Sequence, residues 1–491
     1  MKRASGILMP ISALPGKYGI GSLGKAAYDF ADFLKKSGQT YWQILPLGHT
    51  GYGDSPYQCV SAYAGNPYFI DLELLVEEGL LGQEDLLKAQ SSDTASIDFN
   101  QLFQTRYSLL RKAFVKGRNK KQDEIETFRN QHKQWLETYS LYMSIKESQG
   151  NQSWRMWEQP LRQGDPKVLK EKQMQLEEES AFWVFVQYEF YKQWQHLKDY
   201  VNQIGLKIIG DLPFYVAEDS SDVWAYPENF QLDEKKQPQY VAGCPPDAFT
   251  KDGQFWGNPL YNWEYLKHTN YQWWVERMRF SLTLYDVVRM DHFRGFESYW
   301  SIPYGSATAK EGQWVKGPGL DFFHTLKKTF GKMNIIVEDL GFLSPEVLRL
   351  KEQVGYPGMS VLQFAFDQDM HNRYLPHHAI RNEVMYTGTH DNPTIKEWLQ
   401  TVDQKVSDQA KNYLNLKEQE DDYWGFIRGA WSSVSDLAIT QMQDLLGLGE
   451  SARMNKPGDF GGNWKWRMEE NQLTEELAHK LYSMTKLYGR N

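Results

Sequence analysis

Four acidic residues stand where short apolar runs give way to polar ones, and they are the chain's most chemically capable groups. The run Val287-Val288-Arg289-Met290-Asp291 sets Arg289 and Asp291 two positions apart, which is one face of an extended strand. A guanidinium beside a carboxylate holds it ionised, as a nucleophile requires. In Ile335-Ile336-Val337-Glu338 an acid follows three β-branched residues. Desolvation at such a place raises a carboxyl toward the range of a general acid at neutral pH. Thr387-Gly388-Thr389-His390-Asp391 adds a histidine and a third carboxylate, and Ile208-Ile209-Gly210-Asp211 a fourth. Singly, each acid reads as structural. Together they suit glycoside chemistry, which needs paired carboxylates across a sugar bond. A metal site is the competing use of such residues. The chain has no HExxH or CxxC spacing, so no metal is expected, although Asp291-His292 and His390-Asp391 stay open as ligand pairs.

Residues this far apart need a scaffold that gathers strand ends. Eight short apolar runs recur, at 7–11, 41–47, 206–210, 285–289, 335–338, 360–366, 384–387 and 437–443, most followed by a helical pattern. Near-continuous apolar strands alternating with helices predict a parallel sheet covered on both faces. Eight units predict an α/β fold of the (β/α)8 TIM-barrel type, with its active site at the C-terminal strand ends. The spacing is uneven. We expect one catalytic barrel domain over 1–491, a mostly helical insertion at 71–195 after the second strand, and a loop-rich insertion at 212–284 after the third. The last is rich in Pro, Trp and Asn.

Composition narrows the function. The 491 residues carry a net charge of −9, which argues against nucleic acid or anionic membrane as partner, since both demand clustered Lys and Arg. Mean hydropathy is −0.63, and no apolar run is long enough to span a bilayer. Cys59 and Cys244 are the two cysteines, too few for a disulfide framework; both are expected free and non-catalytic, in a cytoplasmic protein. Aromatics abound (18 Trp, 29 Tyr, 25 Phe), and many sit among Gly, Pro and Asn at 52–68 and 255–263. Aromatic faces in loops suit sugar rings. Gly19-Ile20-Gly21-Ser22-Leu23-Gly24 fits the dinucleotide pattern GxGxxG, but no strand runs into its first glycine and position 44 is Ile44 rather than an acid. It reads as a glycine turn opening a helix, with an NAD-dependent oxidoreductase as the alternative.

The chain resembles the 4-α-glucanotransferases (amylomaltases) of glycoside hydrolase family 77 along nearly its whole length. The resemblance is carried by Gly53-Asp54-Ser55-Pro56-Tyr57-Gln58, Gly65-Asn66-Pro67-Tyr68, Gly210-Asp211-Leu212-Pro213, Pro245-Pro246-Asp247 and Gly253-Gln254-Phe255-Trp256-Gly257-Asn258-Pro259. It continues in Arg289-Met290-Asp291-His292-Phe293-Arg294-Gly295, Glu338-Asp339-Leu340-Gly341, Thr387 to Asn392, Arg453-Met454-Asn455 and Gly462-Asn463-Trp464. The chain departs from the family pattern at His49, Ser360 and Pro393.

The resemblance implies a retaining transfer of α-1,4-glucan segments without a cofactor, from a donor to the 4-hydroxyl of an acceptor glucan or glucose. It implies Asp291 as nucleophile, Glu338 as acid/base, and Asp391 as a third carboxylate on ring hydroxyls. Arg289 and His390 would support the transition state. Tyr57 would stack on the sugar before the scissile bond, with Asp211 beside it. Ser55, Trp256, Asn258 and Asn463 would be groove contacts, and the segment 243–263 would be the loop that overhangs the substrate. The expected partners are α-1,4-glucans and maltooligosaccharides, and the compact form of the family is implied. An α-amylase-type hydrolase and a non-catalytic glucan-binding protein are the rival readings.

Overall fold

The computed structural model describes residues 2–491 apart from 52, 92, 94, 247–250, 417–420 and 460. Twelve strands occur among them. They are β1 (Ala4–Leu8), β2 (Tyr41–Gln43), β3 (Lys207–Leu212), β4 (Tyr240–Cys244), β5 (Gln254–Pro259), β6 (Val287–Met290), β7 (Ser298–Pro303), β8 (Gln313–Lys316), β9 (Ile335–Val337), β10 (Gly358–Val361), β11 (Glu383–Tyr386) and β12 (Leu437–Gln441).

The eight strands predicted from the apolar runs form one sheet, in the order β10-β11-β12-β1-β2-β3-β6-β9, with every pairing parallel. All their residues are buried except Lys207, the condition that produces unbroken apolar runs rather than alternation. The two edge strands meet as well. Val337 N–H donates to Pro357 O at 2.9 Å, and Met359 N–H donates to the Asp339 carboxylate at 2.7 Å. Asp339, wholly buried and paired with Lys351 at 2.6 Å and Arg373 at 3.2 Å, thus fastens the seam of a (β/α)8 barrel.

The barrel's interior is a cluster that draws side chains from every strand, among them Leu8, Tyr41, Ile209, Val287, Ile336, Val361, Tyr386 and Ile439. Their sequence neighbours Ile7, Trp42, Ile208 and Val288 belong to the larger outer core against the helices. Strand period two therefore sends Asp211 and Arg289 the same way as Ile209 and Val287, inward, at the C-terminal end.

Strand bounds shift from expectation. The first strand lies at Ala4–Leu8, earlier than 7–11, because Pro10 offers no N–H to a ladder and a 3-10 turn, Ile11–Ala13, begins there. The sixth run ends as strand at Val361 and continues as the 3-10 turn Leu362–Ala365. Between β2 and β3 the long helices are Phe99–Lys120, Lys133–Ser148 and Glu177–Gln203.

The expectation of loops at 212–284 is corrected. That segment contributes β4 and β5 to a second, antiparallel sheet of order β5-β4-β7-β8, and then forms the helices Trp263–His268 and Gln272–Leu284. β5 reads Gln-Phe-Trp-Gly-Asn-Pro and is half-exposed over its first four residues, so no apolar period marks it. Its ladder with β4 makes it a strand despite that composition. A Cβ at Gly243 would lie 2.3 Å from Gln254 O, so only glycine permits this close pairing.

The GxGxxG glycines serve packing. Gly24 precedes the helix Lys25–Lys36, and a Cβ there would lie 2.0 Å from the Asp71 carboxylate; a Cβ at Gly21 would lie 2.0 Å from Ile11 O. Among the described residues no helix is long and apolar enough to cross a membrane.

Candidate active site

Arg289, at the end of β6, organises the barrel mouth. One Nη atom donates to both Asp211 oxygens at 2.7 Å and to Asp291 Oδ1 at 3.1 Å, and the other lies 3.9 Å from Glu338 Oε2. Three neighbouring strands, β3, β6 and β9, thereby bring three carboxylates to one cation. Strand-like backbone bonds continue past the strand ends to fix them: Asp291 N–H to Leu212 O at 3.1 Å and Glu338 N–H to Met290 O at 3.0 Å.

Burial differs sharply among these groups and sets their protonation. Asp211 is completely enclosed, whereas the Asp291 side chain is 24% exposed. Burial pushes the Asp211 carboxyl above its usual range, and Arg289 pulls it back. Burial also works against the charge on Arg289, but Asp211 and then Asp291 outweigh it and hold the guanidinium firmly protonated. Glu338 is pushed up to about 8, first by burial and then by the neighbouring negative charge of Asp291. The Glu338 carboxyl is accordingly protonated at neutral pH while Asp291 keeps its guanidinium partner.

The next residue contributes through its backbone. His292 adopts φ +47°, a left-handed conformation unusual for a side-chain-bearing residue, and this aims its N–H at Glu338 Oε2 at 2.7 Å. Its imidazole is pushed down to about 4 by burial and sits 5.0 Å from the Trp256 ring, edge to face.

The opposite wall is built from loops. Tyr57 donates its hydroxyl to Asp211 at 2.8 Å, and its ring stacks on His390 with centroids 5.1 Å apart. Burial, then Asp211, raises the Tyr57 phenol well above its usual range, so it stays a donor. His390 Nε2 lies 3.4 Å from the Asp391 carboxylate, whose side chain is 46% exposed. Asn455 donates to Asp391 Oδ1 at 2.6 Å, Arg453 donates to the Asp391 carbonyl at 2.9 Å, and Asn455 N–H donates to His390 O at 3.1 Å. Trp464 completes the wall, 5.9 Å from Tyr57 and 6.0 Å from His390.

Seven of the anticipated residues thus converge: Asp211, Arg289, Asp291, Glu338, His390, Asp391 and Tyr57. Trp256 joins them through His292. The other three do bracing work. Ser55 Oγ accepts the Tyr57 N–H at 3.3 Å and shapes that turn. Asn258, 4% exposed, donates to Val216 O at 2.8 Å and accepts from Gln58 at 3.0 Å, tying β5 to the Tyr57 loop. Asn463 closes its own loop, accepting from Lys456 N–H at 3.0 Å and donating to Asp459 O at 3.2 Å. Residues 247–250, Asp247 among them, in the segment 243–263 expected to overhang the substrate, lie outside the described residues.

Asn455, Arg453, Trp464 and the His292 N–H were not singled out from the sequence. The first three stand in motifs quoted for the family resemblance, which was the available signal. The residues that depart from the family pattern stay outside the cluster. His49 is buried between Tyr139 and Tyr107, at 2.8 and 3.0 Å. Among the described residues no group of three or more His, Cys, Asp or Glu side chains could hold a metal ion.

Residues 9–474 match the family described as 4-alpha-glucanotransferase. The chain belongs to that family. It is 49% identical to the 4-alpha-glucanotransferase of Clostridium butyricum over 98% of this chain and 100% of that protein. It is 44% identical to the one of Thermus thermophilus, over 100% and 99%. The amylomaltase from Streptococcus agalactiae, solved in complex with acarbose, superposes with a TM-score of 0.97 at 40% identity, over 100% of both chains.

Proposed function

We propose that this member of the family transfers α-1,4-glucan segments by a retaining double displacement, with Asp291 as nucleophile and Glu338 as acid/base. The observation that carries the reading is electrostatic. Arg289 lies within ionic reach of both carboxyls, yet Glu338 is pushed up to about 8 while Asp291 keeps the direct hydrogen bond. Asp291 attacks the anomeric carbon, and the protonated Glu338 gives its proton to the departing glycosidic oxygen. The bond formed to Asp291 removes its negative charge, which after burial is the largest cause that holds the Glu338 proton in place. The Glu338 carboxyl then becomes more acidic and, now ionised, takes the proton from the 4-hydroxyl of an acceptor glucan. That oxygen displaces Asp291, so one α-1,4 bond is broken and one made with no external energy source.

In this reading Tyr57 and His390 supply a flat surface for the sugar before the scissile bond. Asp391 takes its hydroxyls, the enclosed Asp211 holds Arg289 and the Tyr57 hydroxyl in place behind it, and the β5 strand with Trp256 covers the mouth and disfavours water as acceptor. The substrates are neutral maltooligosaccharides, in keeping with a mouth that gathers several acids around one guanidinium and would repel an anion.

Incubation with maltotriose alone, followed by sizing of the products, tests the proposal. A ladder running from glucose to chains longer than the substrate is expected. Products no longer than maltotriose would mean hydrolysis and would overturn transfer.

A further inference from the structure

A groove of about 710 Å³ lies on the flank of the barrel, between the helices Lys133–Ser148 and Gln272–Leu284. None of the proposed catalytic residues lines it. One wall is aromatic: Tyr63 stacks on Trp135 with centroids 6.0 Å apart and planes 13° from parallel, and Phe280 meets both edge to face at 5.3 and 5.8 Å. Trp273 and Tyr265 line it too.

The charge at the groove is muted. Arg279 pairs with Glu276 at 3.3 Å, and burial pushes the His132 imidazole below its usual range, leaving it neutral at pH 7. A nucleotide or anionic ligand therefore finds no free cation among the described lining residues. Aromatic faces together with amide and hydroxyl side chains (Gln134, Thr138, Gln272) suit a pyranose, which presents C–H faces and oxygen acceptors. The groove also adjoins the catalytic mouth. Its residues Ser61, Tyr63 and Phe280 wall a smaller cavity of about 60 Å³ whose other wall carries Tyr57 and Asp211. Its volume lies in the range of small-molecule sites, with room for a few sugar units.

We infer that this flank groove is a second saccharide site, which holds a stretch of a long α-1,4-glucan outside the bond-breaking mouth. The inference takes its ligand class from the proposed function. Such a site adds affinity for chains long enough to reach both places and leaves short substrates unaffected.

The test uses two lining positions, Tyr265→Ala and Gln272→Arg. Gln272 is exposed, so that variant obstructs the groove without disturbing the core. In native gels containing amylose, mobility relative to an amylose-free gel should drop for the wild type and drop less for both variants. Their KM for amylose should rise about fivefold, while kcat and KM for maltotriose disproportionation stay within about twofold. Wild-type retardation and amylose KM in both variants would overturn the site. A matching loss with maltotriose would overturn its separation from the mouth. Equal, variant-sensitive retardation by hydroxyethylcellulose would overturn the α-1,4 assignment. Should the wild type fail to disproportionate maltotriose yet show variant-sensitive retardation, the proposed function fails and the groove stands.

Discussion

The two walls of the barrel mouth are held by different means. On one side Asp211, Arg289, Asp291 and Glu338 ride on β3, β6 and β9, and consecutive backbone bonds carry the strand geometry into the reacting groups. On the other side His390 and Asp391 follow β11 in a turn, and their orientation depends on Asn455 and Arg453, more than sixty positions along the chain. The strand wall is rigid and desolvated, which is what shifts Glu338. The loop wall is more open, with Asp391 nearly half-exposed. Charge placement for bond making and breaking needs the first kind of support. Gripping a sugar that must enter and leave tolerates the second.

If the comparison holds, the largest losses come from the strand wall. Asp291→Ala should lower kcat/KM on every glucan by about 10⁴-fold or more, because no covalent intermediate can form. Retained activity would remove Asp291 as nucleophile. Glu338→Gln should cost about 10²–10⁴-fold on natural donors, and the first step should recover with a glucosyl fluoride, whose leaving group needs little protonation. An equal loss on both donors would show that Glu338 is not the acid. Wild-type kcat/KM should fall as pH rises through about 8, where the free enzyme's Glu338 loses its proton.

The same group affects stability. Its folded value, about 8, lies above the ordinary glutamate value of 4.5. Its stabilising protonation is fully present below 4.5 and is lost as pH rises through 8. Glu338→Gln should therefore raise Tm at pH 9 relative to wild type, by an effect on the order of 2 kcal/mol, and do little at pH 4. Thermal unfolding at the two pH values measures this; an equal shift at both would remove the desolvation argument.

The contrast between the walls also decides what was legible in the sequence. Arg289 and Asp291 declare a common face by strand period, and Glu338 stands out after three β-branched residues. The eight barrel strands are legible for the same reason, being buried on both faces. Asn455 and Trp464 carry no such mark, since a polar loop shows no period and their partners are set by tertiary contact. Asn258 and Asn463 show the reverse. An asparagine beside a groove reads the same whether it meets a ligand or braces its own loop, and only the structure reveals that both amides are engaged internally. β5 escaped notice because its edge position leaves half its side chains in solvent.

A smaller effect should follow from loosening the loop wall. Asn455→Ala removes the amide that holds Asp391 Oδ1. A carboxylate free to turn grips the ring hydroxyls poorly, so kcat/KM should fall about tenfold, equally for glucan and fluoride donors. Tm should hardly move, since the lost bond lies at an exposed carboxylate. Recovery with the fluoride would tie Asp391 to leaving-group protonation and exchange its role with that of Glu338.

The smallest effect belongs to the thiols and marks the limit of the site. Cys59 lies two residues past Tyr57, close enough to the catalytic mouth for a reactive thiol to matter. Burial pushes it up to about 12, so it carries no thiolate at neutral pH, and its Sγ–H is given to Pro56 O at 3.1 Å. It also fills the space that a Cβ at Gly48 would take, 2.4 Å from that sulfur, so its work is packing behind the Tyr57 loop. A serine keeps the donor and loses a little volume. The double variant Cys59→Ser, Cys244→Ser should therefore retain maltotriose disproportionation within about twofold, with stability lowered by about 1 kcal/mol. A folded double variant without activity would place a thiol in the mechanism and break the division of labour between the walls.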